Sequence, residues 1–150
     1  MARGVCFCIA DNVENAVDID YDTVTFYVPE TETDYFLEEN DTEAVASLMD
    51  CLKAYGATIG EENGVSWFVV NEQVKRNYFF KQYEEFLHKA RTLTIDEFAL
   101  SDTYELMKLI DDPFSDGVYE SGYGFRTLDN FIRNAEIGKK YFIKNAYYMH

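Results

Sequence analysis

Basic residues are nearly missing from one long stretch of this chain: residues 11–62 hold fifteen acids and a single base, Lys53. Histidine and proline, at two each, and cysteine, at three, are also scarce. Each shortage excludes something. Cys6, Cys8 and Cys51 are too few and too oddly numbered for the disulfide framework of a small secreted domain, so a reducing compartment is expected. Two histidines, neither near a Gly-x-Ser-x-Gly or a catalytic-cysteine signature, leave nucleophilic catalysis without a visible base. With so little proline and only eight glycines, no stretch resembles a flexible linker or a low-complexity tract. Long apolar runs are missing too. Val5-Cys6-Phe7-Cys8-Ile9-Ala10 is too short for a signal-peptide core, and nothing approaches the roughly 20 apolar residues of a membrane span, so the expected setting is the cytoplasm.

What is present suffices for one core. The chain of 150 residues is 47% apolar and 17% aromatic, with 12 Tyr and 12 Phe. A single domain over residues 1–150 is expected, since a chain of this length buries roughly 70% of its unfolded surface in one unit.

Val5 to Ala10 is continuously apolar, as in a strand covered on both faces, and Thr23 to Val28 alternates like a half-buried strand that Pro29 ends. Asn40 and Glu43 have capping-box spacing ahead of Val45, Leu48, Met49 and Leu52, with Gly56 as the stop. Ala57–Ile59 and Val65–Val70 flank Asn63-Gly64, a hairpin signal. The longest helix starts after Asn71 as N-cap and runs to about Arg91, placing Phe79, Tyr83, Phe86, Leu87 and Ala90 on a stripe that should pack on the sheet and its cysteines. A third helix follows Ser101 and ends where Asp112 precedes Pro113. Residues 113–126 read as an aromatic, glycine-containing loop. Thr127 caps a fourth helix carrying Leu128, Phe131, Ile132 and Ala135, and a last strand runs from Lys140 to about Tyr147. The expected fold class is α+β: an antiparallel sheet of about five strands with three to four helices packed mainly on one face.

Candidate chemical sites are thin. Cys6, Cys8, Cys51 and His88 could together offer four soft ligands to zinc, but the spacing is not Cys-x-x-Cys, and buried strand cysteines behave as small hydrophobes. Asp18-Ile19-Asp20-Tyr21-Asp22 resembles the start of a calcium loop, yet Thr23 stands where glycine is needed and Pro29 where a bidentate Glu belongs, which excludes that site. Gly122-Tyr123-Gly124-Phe125 has neither a following Gly-Lys-Ser/Thr nor a complete dinucleotide fingerprint. Adjacent acids such as Glu84-Glu85 and Asp111-Asp112 point in different directions on a helix. No residue takes a catalytic role, and no cofactor or metal is expected.

The charge pattern carries the functional reading. The formal charge is −15 from 28 acids against 13 bases, which opposes direct binding to nucleic acid or to anionic membranes and favours a basic protein partner. Almost all of the excess lies in residues 11–62, whereas residues 63–100 balance at five acids and five bases and residues 126–150 are net basic. Asp18, Asp20 and Asp22 alternate, as do Glu30, Glu32 and Asp34, followed by Glu38, Glu39 and Asp41. In extended chain, alternate side chains share a face about 6–7 Å apart, comparable to the spacing of backbone phosphates. Aligned like charges repel, an arrangement that a basic groove would neutralise. Tyr35, with Tyr21, Tyr27 and Phe36, lies among them, and aromatics are frequent interface anchors.

In size, acidity and these acidic ladders, the chain resembles the small inhibitors by which phages and other mobile elements block restriction enzymes or CRISPR nucleases, several of which mimic nucleic acid. The resemblance is one of class and covers mainly residues 11–62. It implies a non-enzymatic inhibitor whose partner-binding residues are the ladder acids and Tyr35, and whose partner is a nucleic-acid-binding enzyme. Two other readings stand beside it: an immunity protein or antitoxin that neutralises a basic toxin, and an enzyme or small-molecule binder with a pocket around Tyr119, Tyr123 and Phe125.

Overall fold

A computed structural model describes residues 4–19, 42–110 and 116–149. The apolar run near the N-terminus forms β1 (Gly4–Ala10), and Cys6 to Ala10 are buried on both faces. Asn12 then caps the short helix α1 (Val13–Asp18), its side chain accepting a 2.7 Å hydrogen bond from the Asn15 amide. The helix expected ahead of Gly56 is α2 (Thr42–Tyr55), and Val45, Leu48, Met49 and Leu52 are its buried face. Gly56 ends it at φ 110°, a left-handed conformation that glycine adopts without strain. The hairpin β2 (Thr58–Glu62) and β3 (Val65–Val69) turns through Asn63 at φ 52° and Gly64 at φ 80°, the two positive values that a tight primed turn requires.

Asn71 caps α3 (Glu72–Thr92) by accepting a 2.9 Å bond from the Val74 amide. Two-residue connections then lead to α4 (Ile95–Leu100), opened by a Thr94/Glu97 capping box, and to α5 (Thr103–Ile110). The hairpin β4 (Gly117–Glu120) and β5 (Gly124–Thr127) follows, then α6 (Leu128–Asn134), capped by Thr127, and β6 (Lys140–Met149).

The six strands form one mixed sheet in the order β2-β3-β6-β1-β4-β5. This corrects the expected antiparallel sheet of about five strands. β1 runs antiparallel to β6 but parallel to β4, with Cys6 beside Gly117 and Ile9 beside Glu120. A parallel pair needs a long crossover instead of a hairpin, and here the helical middle of the chain supplies it. Residues 117–127 are a hairpin where a loop was expected, because two four-residue strands around Ser121-Gly122-Tyr123 are too short to show alternation. The described helices number six against the expected three to four, since α1 and α4, of six residues each, are set by their caps and not by an apolar stripe. The strand expected over residues 23–28, the Asn40 cap and the helix end at Asp112-Pro113 lie outside the described residues.

The sheet is covered on both faces. On one face, Phe7, Ile9, Phe68, Val118 and Ile143 pack against α2, α6 and the start of α3. On the other, Cys6, Cys8, Tyr119, Phe142 and Tyr147 pack with Ala16 of α1 and with Ile19, which follows that helix. The cysteines therefore face α1 and not the long helix, correcting the expectation that α3 covers them. The long helix itself also departs from expectation. Only Val74 is buried, Phe79 is half-buried, and Tyr83 and Phe86 are 59% and 42% exposed. Among the described residues its tertiary hydrogen bonds fall in its first half: Asn77 donates to the Tyr55 carbonyl, Lys75 to the Arg133 and Ala135 carbonyls, and Tyr78 and Gln82 to the Asp129 carboxylate. The stripe was legible, but it outruns the sheet it was expected to cover.

On the second face, Gly60 stands opposite Trp67 in the β2–β3 ladder, where an added Cβ would run into the indole ring. The missing side chain lets the indole lie across the edge strand, and Lys140 Nζ sits 4.3 Å from its ring.

Cys6 and Cys8 are fully buried and free, while Cys51 is exposed on α2. Burial, together with the neighbouring Cys6 thiol, pushes the Cys8 thiol well above its ordinary value. One thiol per native chain should therefore react rapidly with Ellman's reagent and the other two only on unfolding, and Cys51→Ser should remove the rapid phase. The sign of the pH effect follows. A thiol held protonated in the fold stabilises below the unfolded thiol range, about pH 8.5, and loses that contribution as the pH rises above it. Three thiols reacting rapidly at neutral pH would contradict this packing.

Candidate protein-binding surface

Asp18 is the last residue of α1 and is exposed. Of the ladder residues it alone is described; Asp20, Asp22, Glu30, Glu32, Asp34, Tyr35, Glu38, Glu39 and Asp41 lie outside the described residues. The remaining acids of residues 11–62 are Asp11, Glu14, Glu43, Asp50, Glu61 and Glu62, and every one is exposed. Of these described acids only Asp11 joins an ion pair, with Lys139 Nζ at 2.8 Å, which holds the lysine above its ordinary value. Glu14 and Glu43 sit in the first turns of α1 and α2, where a negative charge meets the positive end of the helix. Asp18 sits at the opposite end of α1, and no base occupies that last turn. Its charge is uncompensated within its own helix.

These exposed acids are not gathered on one face of the sheet. α1 lies on the cysteine face, α2 on the other, and Glu61 and Glu62 end β2 at the sheet's edge. The described part of the acidic region is thus divided between both faces of the sheet and the β2 edge and does not form a single patch.

A different charged group is buried. Glu120 is 2% exposed and pairs with the Arg126 guanidinium, which also lies 5.4 Å from the centre of the Phe131 ring. The register explains the pair: Glu120 stands opposite Gly124 and Arg126 opposite Val118, so the two are diagonal neighbours on one face of the β4–β5 hairpin. Arg126 Nε is buried without a hydrogen-bond partner. The guanidinium therefore neutralises the carboxylate with one of its donors left unused.

The aromatic residues set aside for a pocket are divided by the same hairpin. Tyr119 is buried opposite Phe125, which is 42% exposed, and Tyr123 is 68% exposed at the turn, where Lys139 Nζ lies 5.8 Å from its ring. Burial holds the Tyr141 hydroxyl above its ordinary value, and that hydroxyl accepts a 2.8 Å bond from the Glu136 amide.

The four soft ligands are not brought together. Cys6 and Cys8 lie on the α1 face, whereas Cys51 lies on α2 and His88 is exposed on α3. Among the described residues, no group of three or more His, Cys, Asp or Glu side chains could hold a metal ion, and no helix is long and apolar enough to cross a membrane.

A surface missed in the sequence lies on the helical hairpin α3–α4–α5. Phe80, Tyr83, Phe86, Ile95, Phe98 and Leu100 are between 42% and 84% exposed. The signal was the length of the apolar stripe on α3, which continues for about three turns past the residues that α2 and α6 hold.

Comparison with protein-family models, with curated proteins and with solved structures finds no match.

Proposed function

We propose that this protein is a non-enzymatic acidic inhibitor that occupies the basic nucleic-acid groove of a defence nuclease or another DNA- or RNA-binding enzyme. One observation carries the reading: residues 11–62 hold fifteen acids against one base, and each of their described acids is exposed. Charge spread for solubility alone has no reason to segregate along the chain. An exposed acidic segment beside charge-balanced helices instead suits a partner whose surface is locally basic, because complementary potentials speed encounter and set orientation.

The test is competition. With a basic nuclease of the restriction or CRISPR type as partner, the chain should displace DNA or guide RNA in an electrophoretic assay. Its affinity should fall about tenfold or more between 50 and 200 mM salt, since both surfaces are charged and exposed. Binding that ignores salt, or that leaves nucleic acid in place, removes mimicry as the explanation.

A further inference from the structure

The helices α3 and α4 leave six large apolar side chains exposed. With side chains of this size offering about 150–250 Å² each, the exposed parts of Phe80, Tyr83, Phe86, Ile95, Phe98 and Leu100 come to on the order of 700 Å². The largest apolar patch of a typical monomer is about 300–600 Å², and a standard stable interface takes about 800 Å² from each partner. On α3, Phe80, Tyr83, Leu87 and Ala90 recur at helical spacing with Phe86 beside them, so they form a stripe and not scattered single residues. α5 turns back to pack on α3, which makes the hairpin one structural unit.

Charge selects the occupant. The molecule carries −15, but along the exposed stripe residues 80–93 hold three bases, Lys81, Lys89 and Arg91, against two acids, Glu84 and Glu85. Residues 94–105 hold four acids, Asp96, Glu97, Asp102 and Glu105, and no base. A two-fold interface sets a patch against itself, and a patch with a basic part and an acidic part can satisfy that demand as a uniformly acidic one cannot. We infer that the α3–α4–α5 hairpin is the interface of a symmetric homodimer, in which the apolar stripe and α4 of one copy cover those of a second. This lies apart from the acidic region invoked for partner binding and does not depend on it.

Sedimentation of the full chain across about 1–200 μM should show a dimer of twice 17.5 kDa. Added salt should change the dimer's dissociation constant by no more than a few-fold between about 50 and 200 mM, because apolar contact is not screened and screening weakens both the α3–α4 complementarity and the repulsion between two −15 copies. Partner binding should fall steeply over the same range, so the two ideas fail separately. Phe86→Glu with Phe98→Glu should raise the dimer dissociation constant by about 100-fold or more, as expected when central aromatic anchors are lost. Both positions are exposed, and an unchanged urea midpoint of the monomer would show that the fold survives. Should that pair unfold the chain, Leu100→Lys on α4 gives a second reading of the same interface. A wild-type monomer at every concentration overturns the inference, whatever later proves to cover the hairpin. So does a dimer that tolerates all of these substitutions.

Discussion

Arg126→Met should destabilise the fold by about 3 kcal/mol, read as a lower urea midpoint at unchanged slope. Removing one partner of a buried ion pair leaves the other charge uncompensated, and such losses run to about 3–5 kcal/mol. The lower end is expected because the Arg126 side chain is 30% exposed, so water can reach part of the site, whereas Glu120 is 3% exposed. Loss of the cation–π contact with Phe131 adds to the effect, since the guanidinium lies over that ring. Joining Glu120→Gln to Arg126→Met should recover much of the loss, because it removes the charge that the single variant strands. A single variant within about 0.5 kcal/mol of the parent would mean that water, and not Arg126, compensates Glu120.

Reversing Asp20 and Asp22 to lysine should weaken partner binding by about 100-fold, as like charges are then set against a basic surface. The matched reversal at Glu84 and Glu85 should change it by no more than a few-fold. Both pairs alter the net charge equally, so long-range steering is the same and the difference reports a local interface. Glu84 and Glu85 are exposed on α3, in the charge-balanced part of the chain. Extending the reversal to Asp18 should not harm the fold. That residue ends α1 with its negative charge at the negative end of the helix, where a lysine is favoured by about 0.3–1 kcal/mol. Equal weakening by both pairs would make the acidic ladder a solvated surface without a binding role.

Local chemistry was readable wherever one residue type meets one backbone need. The Asn71 and Thr127 caps, the Asn63-Gly64 turn, the Gly56 stop and the buried face of α2 all stand where side-chain chemistry places them. The short elements were not readable. α1, α4, β4 and β5 span six residues or fewer, less than the two helical turns or several alternations over which a period becomes visible.

By itself, then, the sequence determined the coarse α+β class, the burial of β1 as a strand covered on both faces, and the separation of its acids from its bases. Each depends on composition or on contacts close along the chain. Only the tertiary structure decided that β1 and β4 run parallel, because that choice depends on a crossover of more than a hundred residues and leaves no local mark. It alone decided that Cys6 and Cys8 face α1, since a strand's alternation separates two faces without saying which element will cover each. It alone decided how much of α3 is covered. A helix shows its apolar stripe in the sequence, but the reach of the elements it packs on, here chiefly α2 and α6, sets where burial stops, and that leaves Phe80, Tyr83 and Phe86 in water.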